Sequence, residues 1–279
     1  MVCYNEHMPD RLQDDLLFLK LGGSLITDKT RPRAARLNLI ASLALEIKAA
    51  KIANRDLKIV IGHGSGSFGH VPAKQYGTRQ GVDSDEGWRG FAEVWYEAAS
   101  LNRIVMDAFQ HAGLPAVAFP PSAAITAKDG QVTKWNLYPL VSSLDAGLLP
   151  VVFGDVVYDQ IRGGTILSTE DLFTYLARCL FPKRILLAGI DPGVWEDFPA
   201  CTRLISEINP GNWEAIAAAL GDSAATDVTG GMRAKVGIML DLVQEIPGLE
   251  VIIFGGEQTG NFSAALNGER LGTRLTNER

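Results

Sequence analysis

The sequence predicts an α/β fold with a largely parallel central sheet covered by helices on both faces. Three observations carry that expectation: short apolar runs alternate with longer amphipathic segments, several of the runs end at glycine clusters, and no internal repeat or low-complexity segment interrupts the alternation. Strands alternating with helices require βαβ crossovers, and such crossovers place helices on both faces of a parallel sheet.

The elements follow in order. Leu16–Leu21 (LLFLKL) reads as a buried strand that ends at Gly22-Gly23. Residues 35–53 read as a helix, because Leu37, Ile40, Ala44 and Ile47 recur at helical spacing. The next strand, 57–61, stops at a glycine-rich loop; the stretch beyond it holds Pro72, Gly77 and Gly81, and 83–87 reads as loop. A long helix over 87–112 carries Trp88, Phe91, Trp95, Ala98, Leu101 and Val105 on one side. Strands are predicted at 116–119, Leu149–Phe153 and 184–188, with a helix at 171–180 and a turn at Asp191-Pro192-Gly193. Helices at Trp213–Leu220 and 232–244 precede a late strand, 249–254, which ends at Gly255-Gly256. Residues 1–15 read as a loosely held tail, and a lobe boundary falls near Phe181-Pro182, dividing 16–181 from 182–279 within one continuous domain.

Composition narrows the function classes. Apolar residues are 47% of the chain and charged residues 21%, so a full core can be buried and intrinsic disorder is excluded. There are 26 basic and 32 acidic residues, a net charge of −6, which argues against a nucleic-acid partner but not against a small anionic substrate. Cys3, Cys179 and Cys201 are too few and too scattered for a disulfide framework or a zinc site. The first fifteen residues lack the apolar core of a signal peptide, and the uncharged stretch 112–127 is broken by Pro115, Pro120 and Pro121 before it reaches membrane-spanning length. A soluble, cytoplasmic protein without a membrane partner is the expectation.

The chemistry is expected beyond the C-terminal ends of the strands. Glycine clusters stand there at Gly22-Gly23-Ser24, at Gly64-Ser65-Gly66-Ser67-Phe68-Gly69-His70 and at Gly255-Gly256, while Gly230-Gly231 opens a helix. Glycines let backbone N–H groups approach an anion, and helix N-termini favour negative charge. Gly64-x-Gly66-x-x-Gly69 formally matches a dinucleotide fingerprint, but the following helix and the strand ending in an acid are not predicted, so a dehydrogenase is rejected; a P-loop lysine motif is absent. Lys20 lies inside an apolar strand, Lys29 just beyond it, and Lys235 in the first turn of a helix. A lysine in a buried strand needs an anion or a carboxylate, and Asp155, Glu170 and Asp171 are the candidates. His70 ends the glycine loop, where a bound phosphate would lie, whereas His63 reads as a brace for the loop.

These residues resemble the amino acid kinase family. The resemblance rests on Lys20-Leu-Gly22-Gly23-Ser24, Gly64–His70, Gly154-Asp155, Ser168-Thr-Glu170-Asp171, Asp191-Pro-Gly193-Val194-Trp195 and Asp227-Val-Thr229-Gly230-Gly231-Met232-x-x-Lys235, in family order over nearly the whole chain after Asp15. The Ser-Phe-Gly-His ending is the narrower mark: it is similar to members that phosphorylate isopentenyl phosphate and to the related fosfomycin kinase, and unlike the kinases of amino acids. The resemblance implies an open αβα sandwich, with the acceptor in the N-terminal lobe, ATP in the C-terminal lobe, Mg²⁺ carried on the ATP phosphates, and a homodimer. It implies transfer of phosphate from ATP to isopentenyl phosphate. Lys20, Lys29 and Lys235 would neutralise phosphates, with Asp155, Glu170 and Asp171 completing the catalytic set. ATP would meet Lys20, Gly22, Gly23, Ser24, Asp191, Gly193, Val194, Trp195, Gly230, Gly231 and Lys235. The acceptor would meet Gly64, Gly66, Ser67, Gly69, His70 and Gly154, with Trp88, Phe91 and Trp95 offered to its hydrocarbon tail. Glu170-Asp171 stands where the family usually has paired aspartates, which leaves open which of the two orients the lysines. A phosphonate kinase and a non-catalytic nucleotide-binding protein remain alternatives, the second disfavoured because all three lysines and His70 are kept.

Overall fold

The computed structural model describes residues 16–220 and 231–278. The expected tail and Gly230 lie outside the described residues. The chain runs β1 (Leu16–Leu21), α1 (Gly23–Ile26), α2 (Leu37–Ala53), β2 (Lys58–His63), α3 (Gly66–Tyr76), α4 (Asp85–His111), β3 (Ala116–Ala118) and α5 (Pro121–Ala124). It continues through β4 (Ile125–Lys128), β5 (Gln131–Trp135), α6 (Tyr138–Asp145), β6 (Leu149–Phe153), β7 (Asp155–Asp159), β8 (Gly163–Leu167), α7 (Thr169–Leu180) and β9 (Arg184–Gly189). The remainder comprises β10 (Val194–Trp195), β11 (Leu204–Ile205), β12 (Glu207–Ile208), α8 (Trp213–Leu220), α9 (Gly231–Glu245), β13 (Glu250–Gly255), α10 (Asn261–Leu266) and β14 (Thr273–Leu275).

Eight strands form one sheet in the order β12-β14-β13-β9-β1-β2-β6-β3. All its pairings are parallel except β13 with β14, as the crossover pattern predicts. The sheet continues across the expected lobe boundary, because β1 is paired to β2 on one side and to β9 on the other. Strand alternation divides the core into two layers. Leu17, Leu19 and Leu21 of β1 pack with α2, α4 and α10, whereas Leu16 and Phe18 pack with α7 and α9. By that alternation, Lys20 belongs to the α7–α9 face. No helix among the described residues is long and apolar enough to cross a membrane.

Two local expectations are corrected. Residues 66–76 are helical despite Pro72, and Pro72 and Ala73 are buried on that helix. The dinucleotide reading still fails, because α3 leads into α4 and not into a strand. The start of α4 also reaches into the expected loop: Ser84 accepts from Gly87 N–H, with Asp85 and Glu86 in the first turn where the helix dipole favours them. A four-stranded sheet, β5-β4-β7-β8, went unpredicted. Its ties centre on Asp159, whose carboxylate accepts from the N–H groups of Asp129, Gly130, Ile161 and Arg162 and so joins two turns. Cys201 is a free thiol, and Cys3 lies outside the described residues.

Candidate active site

The ends of β1, β2, β6 and β9 converge on one cleft of about 1100 Å³, counting its open mouth. On its floor Lys20, 8% exposed, pairs with Glu170, and Lys235 Nζ stands 3.8 Å from the same Glu170 oxygen. Three elements impose this geometry. β1 turns Lys20 toward α7 and α9, α7 brings Glu170 in its first turn, and α9 brings Lys235. Gly62 on β2 admits the start of α7, since a Cβ there would lie 2.4 Å from Thr169 Cγ2 and 2.6 Å from Phe173 Cζ. Burial pushes the Glu170 carboxyl up, but the charges of Lys20 and Lys235 and the Lys20 hydrogen bond outweigh it and hold the group below the usual carboxylate value.

Asp171 does other work in this structure. It completes a capping box: its carboxylate accepts from Ser168 N–H (2.7 Å) and Ser168 O–H (2.8 Å), while Asp171 N–H donates back to Ser168 Oγ. Of the two acids, Glu170 is the one that meets both lysines.

The glycine loops form the next wall. Gly23 and Gly66 nearly touch, because a Cβ on Gly23 would lie 2.7 Å from Gly66 N. The loops are tied by Thr27, whose hydroxyl donates to Gly23 O (2.6 Å) and accepts from Ser67 N–H (2.9 Å). Ser67 Oγ in turn accepts from Ala34 N–H, so Ser67 serves the loop carrying Lys29 and is not part of the cleft lining. Lys29 is exposed at the rim. His63, fully buried, contacts Gly64 O and the Asn102 amide, each at 3.1 Å, and stacks on Phe153. Burial lowers its pKa, so the neutral ring braces the loop as expected.

His70 projects from α3 on the face shared with Gly66, Gly69 and Ala73, all of which line the cleft. Gly64, Gly154, Gly22, Ser24 and Asp191 line it too. Asp155 is buried beneath, accepting from Ser122 and Val156 N–H groups, and burial pushes its pKa up to about 6. Gly193 and Val194 pack against Thr273, and Trp195 Nε1 donates to Asp191 Oδ1 (3.1 Å); these three and Gly231 do not line the cleft. Trp88 and Phe91 cluster with Tyr158, and Trp95 is 46% exposed; none of the three tail candidates lines the cleft. Leu187, Met232 and Ile253 add apolar lining, and so do Ala73, Val94 and Ile166, with Arg79 also lining the cleft. Sequence reasoning missed Ala73, Val94, Ile166 and Arg79. Val94 follows Phe91 on the buried face of α4, so helical spacing alone could have reached it.

The site thus combines paired cations, a buried carboxylate and helix N-termini around one cleft, an arrangement suited to a phosphotransferase. The amino acid kinase family model matches residues 15–255, and the chain belongs to that family. Among curated relatives it is similar to isopentenyl phosphate kinases of Methanothermobacter thermautotrophicus (35% identical, covering 94% of this chain and 99% of that one) and Haloferax volcanii (36%, 94% and 99%). The isopentenyl phosphate kinase of Methanocaldococcus jannaschii is 32% identical, covering 93% of this chain and 98% of the relative. Among solved structures, one described as X-ray structures of isopentenyl phosphate kinase superposes with a TM-score of 0.77 at 31% identity, covering 93% of this chain and 99% of that one.

Proposed function

We propose that this chain transfers the γ-phosphoryl group of ATP to isopentenyl phosphate, giving isopentenyl diphosphate and ADP. The observation that carries this reading is one cleft holding both halves of the task. At one end Lys20, Lys235 and the glycine loops gather positive charge; beyond His70, Ala73, Val94 and Ile166 offer an apolar wall. The names of the curated relatives support the same acceptor. The apolar wall disfavours a small polar phosphonate as acceptor.

The acceptor's phosphate has a second pKa of about 6, so its attacking oxygen is largely ionised at neutral pH and needs no strong base. An oxygen of the acceptor phosphate bonds to the γ-phosphorus as the bond to the β–γ bridging oxygen breaks, and ADP leaves with that electron pair. The protein's task is to cancel repulsion between two anions and to align them. Lys20 and Lys235 would receive the transferring group and the β-phosphate, with Glu170 holding them in register. Lys29 would add charge from the rim. Gly22, Gly23, Ser24 and Gly230 would supply backbone N–H groups, and His70 would donate to the acceptor phosphate. Mg²⁺ bound to ATP supplies further charge neutralisation. Its ligands would be chiefly the phosphate oxygens of ATP.

The reading assigns acceptor binding to 16–181 and nucleotide binding to 182–279. It places the enzyme in the cytoplasm, where ATP is abundant, as a homodimer. The exposed aromatics Trp88, Trp95 and Tyr96 of α4 support a protein contact on that helix. ADP release measured with isopentenyl phosphate, fosfomycin and small polar monophosphates tests the substrate. Acceptor-dependent release with isopentenyl phosphate is expected; a preference for fosfomycin, or no turnover, would overturn it.

A further inference from the structure

We propose that Arg79 is a positioning residue for phosphoryl transfer, acting through Asp171 on the carboxylate that organises the lysines. The inference rests on the phosphotransferase reading of the cleft. Arg79 follows α3 in the stretch Gly77-Thr78-Arg79-Gln80-Gly81 and reaches the cleft from the acceptor side. Its Nη2 lies 3.3 Å from Asp171 Oδ2. The same oxygen accepts Ser168 N–H and Ser168 O–H. Three donors therefore converge on one carboxylate oxygen, two from the helix's own cap and one from across the cleft.

That oxygen belongs to the residue next to Glu170. Glu170 and Asp171 are the second and third residues of α7, so the cap that Asp171 closes sets the position of the first turn and of the Glu170 carboxylate. Arg79 is itself held from behind. Its carbonyl accepts from Thr165 Oγ1 (2.8 Å), a fully buried side chain of β8, and from Arg162 Nη1 (3.3 Å). The path from the β8 backbone to Lys20 is thus continuous: Thr165, Arg79, Asp171, the first turn of α7, Glu170, Lys20.

The arginine is explained if its ion pair holds the reacting groups in place, since small misplacements of such groups are felt strongly in rate.

The test compares Arg79→Ala, Arg79→Lys, Asp171→Asn and the Arg79→Ala/Asp171→Asn double variant. Expected are a kcat about 10-fold lower for Arg79→Ala, partial recovery in Arg79→Lys, nearly unchanged ATP affinity and acceptor KM, and a double variant little worse than either single one. A kcat within twofold of wild type, an effect confined to acceptor KM, or additive losses in the double variant would each overturn the proposal. The wild-type acceptor panel decides the substrate separately, and the variants are measured with whichever acceptor it turns over. A crystal structure of Arg79→Ala supplies a readout free of turnover: Glu170 should be displaced from Lys20, and an unchanged Lys20–Glu170 pair would contradict the proposal whatever the acceptor.

Discussion

The two walls of the cleft are built by different means. After β1 and β2 the wall is backbone: Gly22, Gly23, Gly64 and Gly66 expose peptide groups and let two loops meet. Across the cleft the wall is side chain: Ala73, Val94 and Ile166 come from α3, α4 and β8, and Ala73 and Val94 also belong to a small apolar cluster with Val82, Phe91 and Val156. A backbone wall can present N–H groups to an anion but has little shape of its own. A side-chain wall has shape but no donors. On the proposed reading, transfer chemistry falls to the first and acceptor choice to the second.

The hardest blow to that contrast would be a lysine that does not matter. Lys20→Ala should lower kcat by at least ~10²-fold, the scale of removing a preorganised charge from a transition state. It should also lower Tm, because Glu170 stays buried with Lys235 alone, and stranding one partner of a buried pair destabilises by about 3–5 kcal/mol. Lys20→Met with Glu170→Gln should recover the Tm and leave turnover low. Thermal melts beside steady-state kinetics check both halves; a rescued Tm with rescued turnover would refute the role.

His70 sits at the junction of the walls. His70→Ala should raise acceptor KM and lower kcat, together by about 10-fold or more in kcat/KM for a lost hydrogen bond to a charged group, with ATP affinity nearly intact. His70→Gln should retain part of the activity, since an amide still donates. Equal weakening of both ligands, read by kinetics beside a nucleotide titration, would make His70 a brace and not a contact.

On the side-chain wall, Ile166→Ala removes three carbon atoms from the cleft. At ~0.8 kcal/mol for each methylene buried against the acceptor, the three carbons are worth about 2.4 kcal/mol, so acceptor KM should rise by up to roughly 60-fold, with kcat changed little. A fall in kcat with unchanged KM would place Ile166 outside acceptor binding.

Sequence patterns exposed these walls unequally, for physical reasons. β1 and β6 match their predicted spans residue for residue, and the other central strands match within one or two, because a strand buried on both faces reads as an unbroken apolar run. Glycines and an apolar-flanked Lys20 stand out in sequence, so that part of the cleft lining was readable. β5 (QVTKW) is mostly exposed and carries no such run. Its hairpin was still signalled by Asp129-Gly130, both at positive φ (51° and 77°), the conformation a tight two-residue turn requires. Ala73, Val94 and Ile166 look like any core residue until the fold opens a cleft beside them. Arg79 has no local mark at all; its partner lies 92 residues away. The aromatic side chains of α4 stand apart from the cleft lining, since Trp88 and Phe91 pack on Tyr158.

The last effect bears on stability and not on turnover, and concerns the buried Asp155. Burial raises its pKa to about 6 from the ordinary 3.8, against the Ser122 and Val156 hydrogen bonds. A carboxyl whose folded pKa is raised contributes stability fully below its unfolded pKa and loses it as pH rises through the folded value. Between pH 4 and about 7 the wild type should therefore lose up to about 3 kcal/mol from this group. Asp155→Asn should not, so the Tm of the variant relative to wild type should climb over that window and then level. A relative Tm that falls with pH would mean the wild-type carboxylate is stabilised in its charged form.

The central claim is transfer of a phosphoryl group onto a phosphate, and phosphorus NMR of the wild-type chain with ATP, Mg²⁺ and isopentenyl phosphate tests it most directly. The acceptor monophosphate resonance should decline as a diphosphate pair of resonances grows in step with ADP, with no inorganic phosphate formed. ADP appearing with inorganic phosphate, or an acceptor resonance that never changes, would contradict the account.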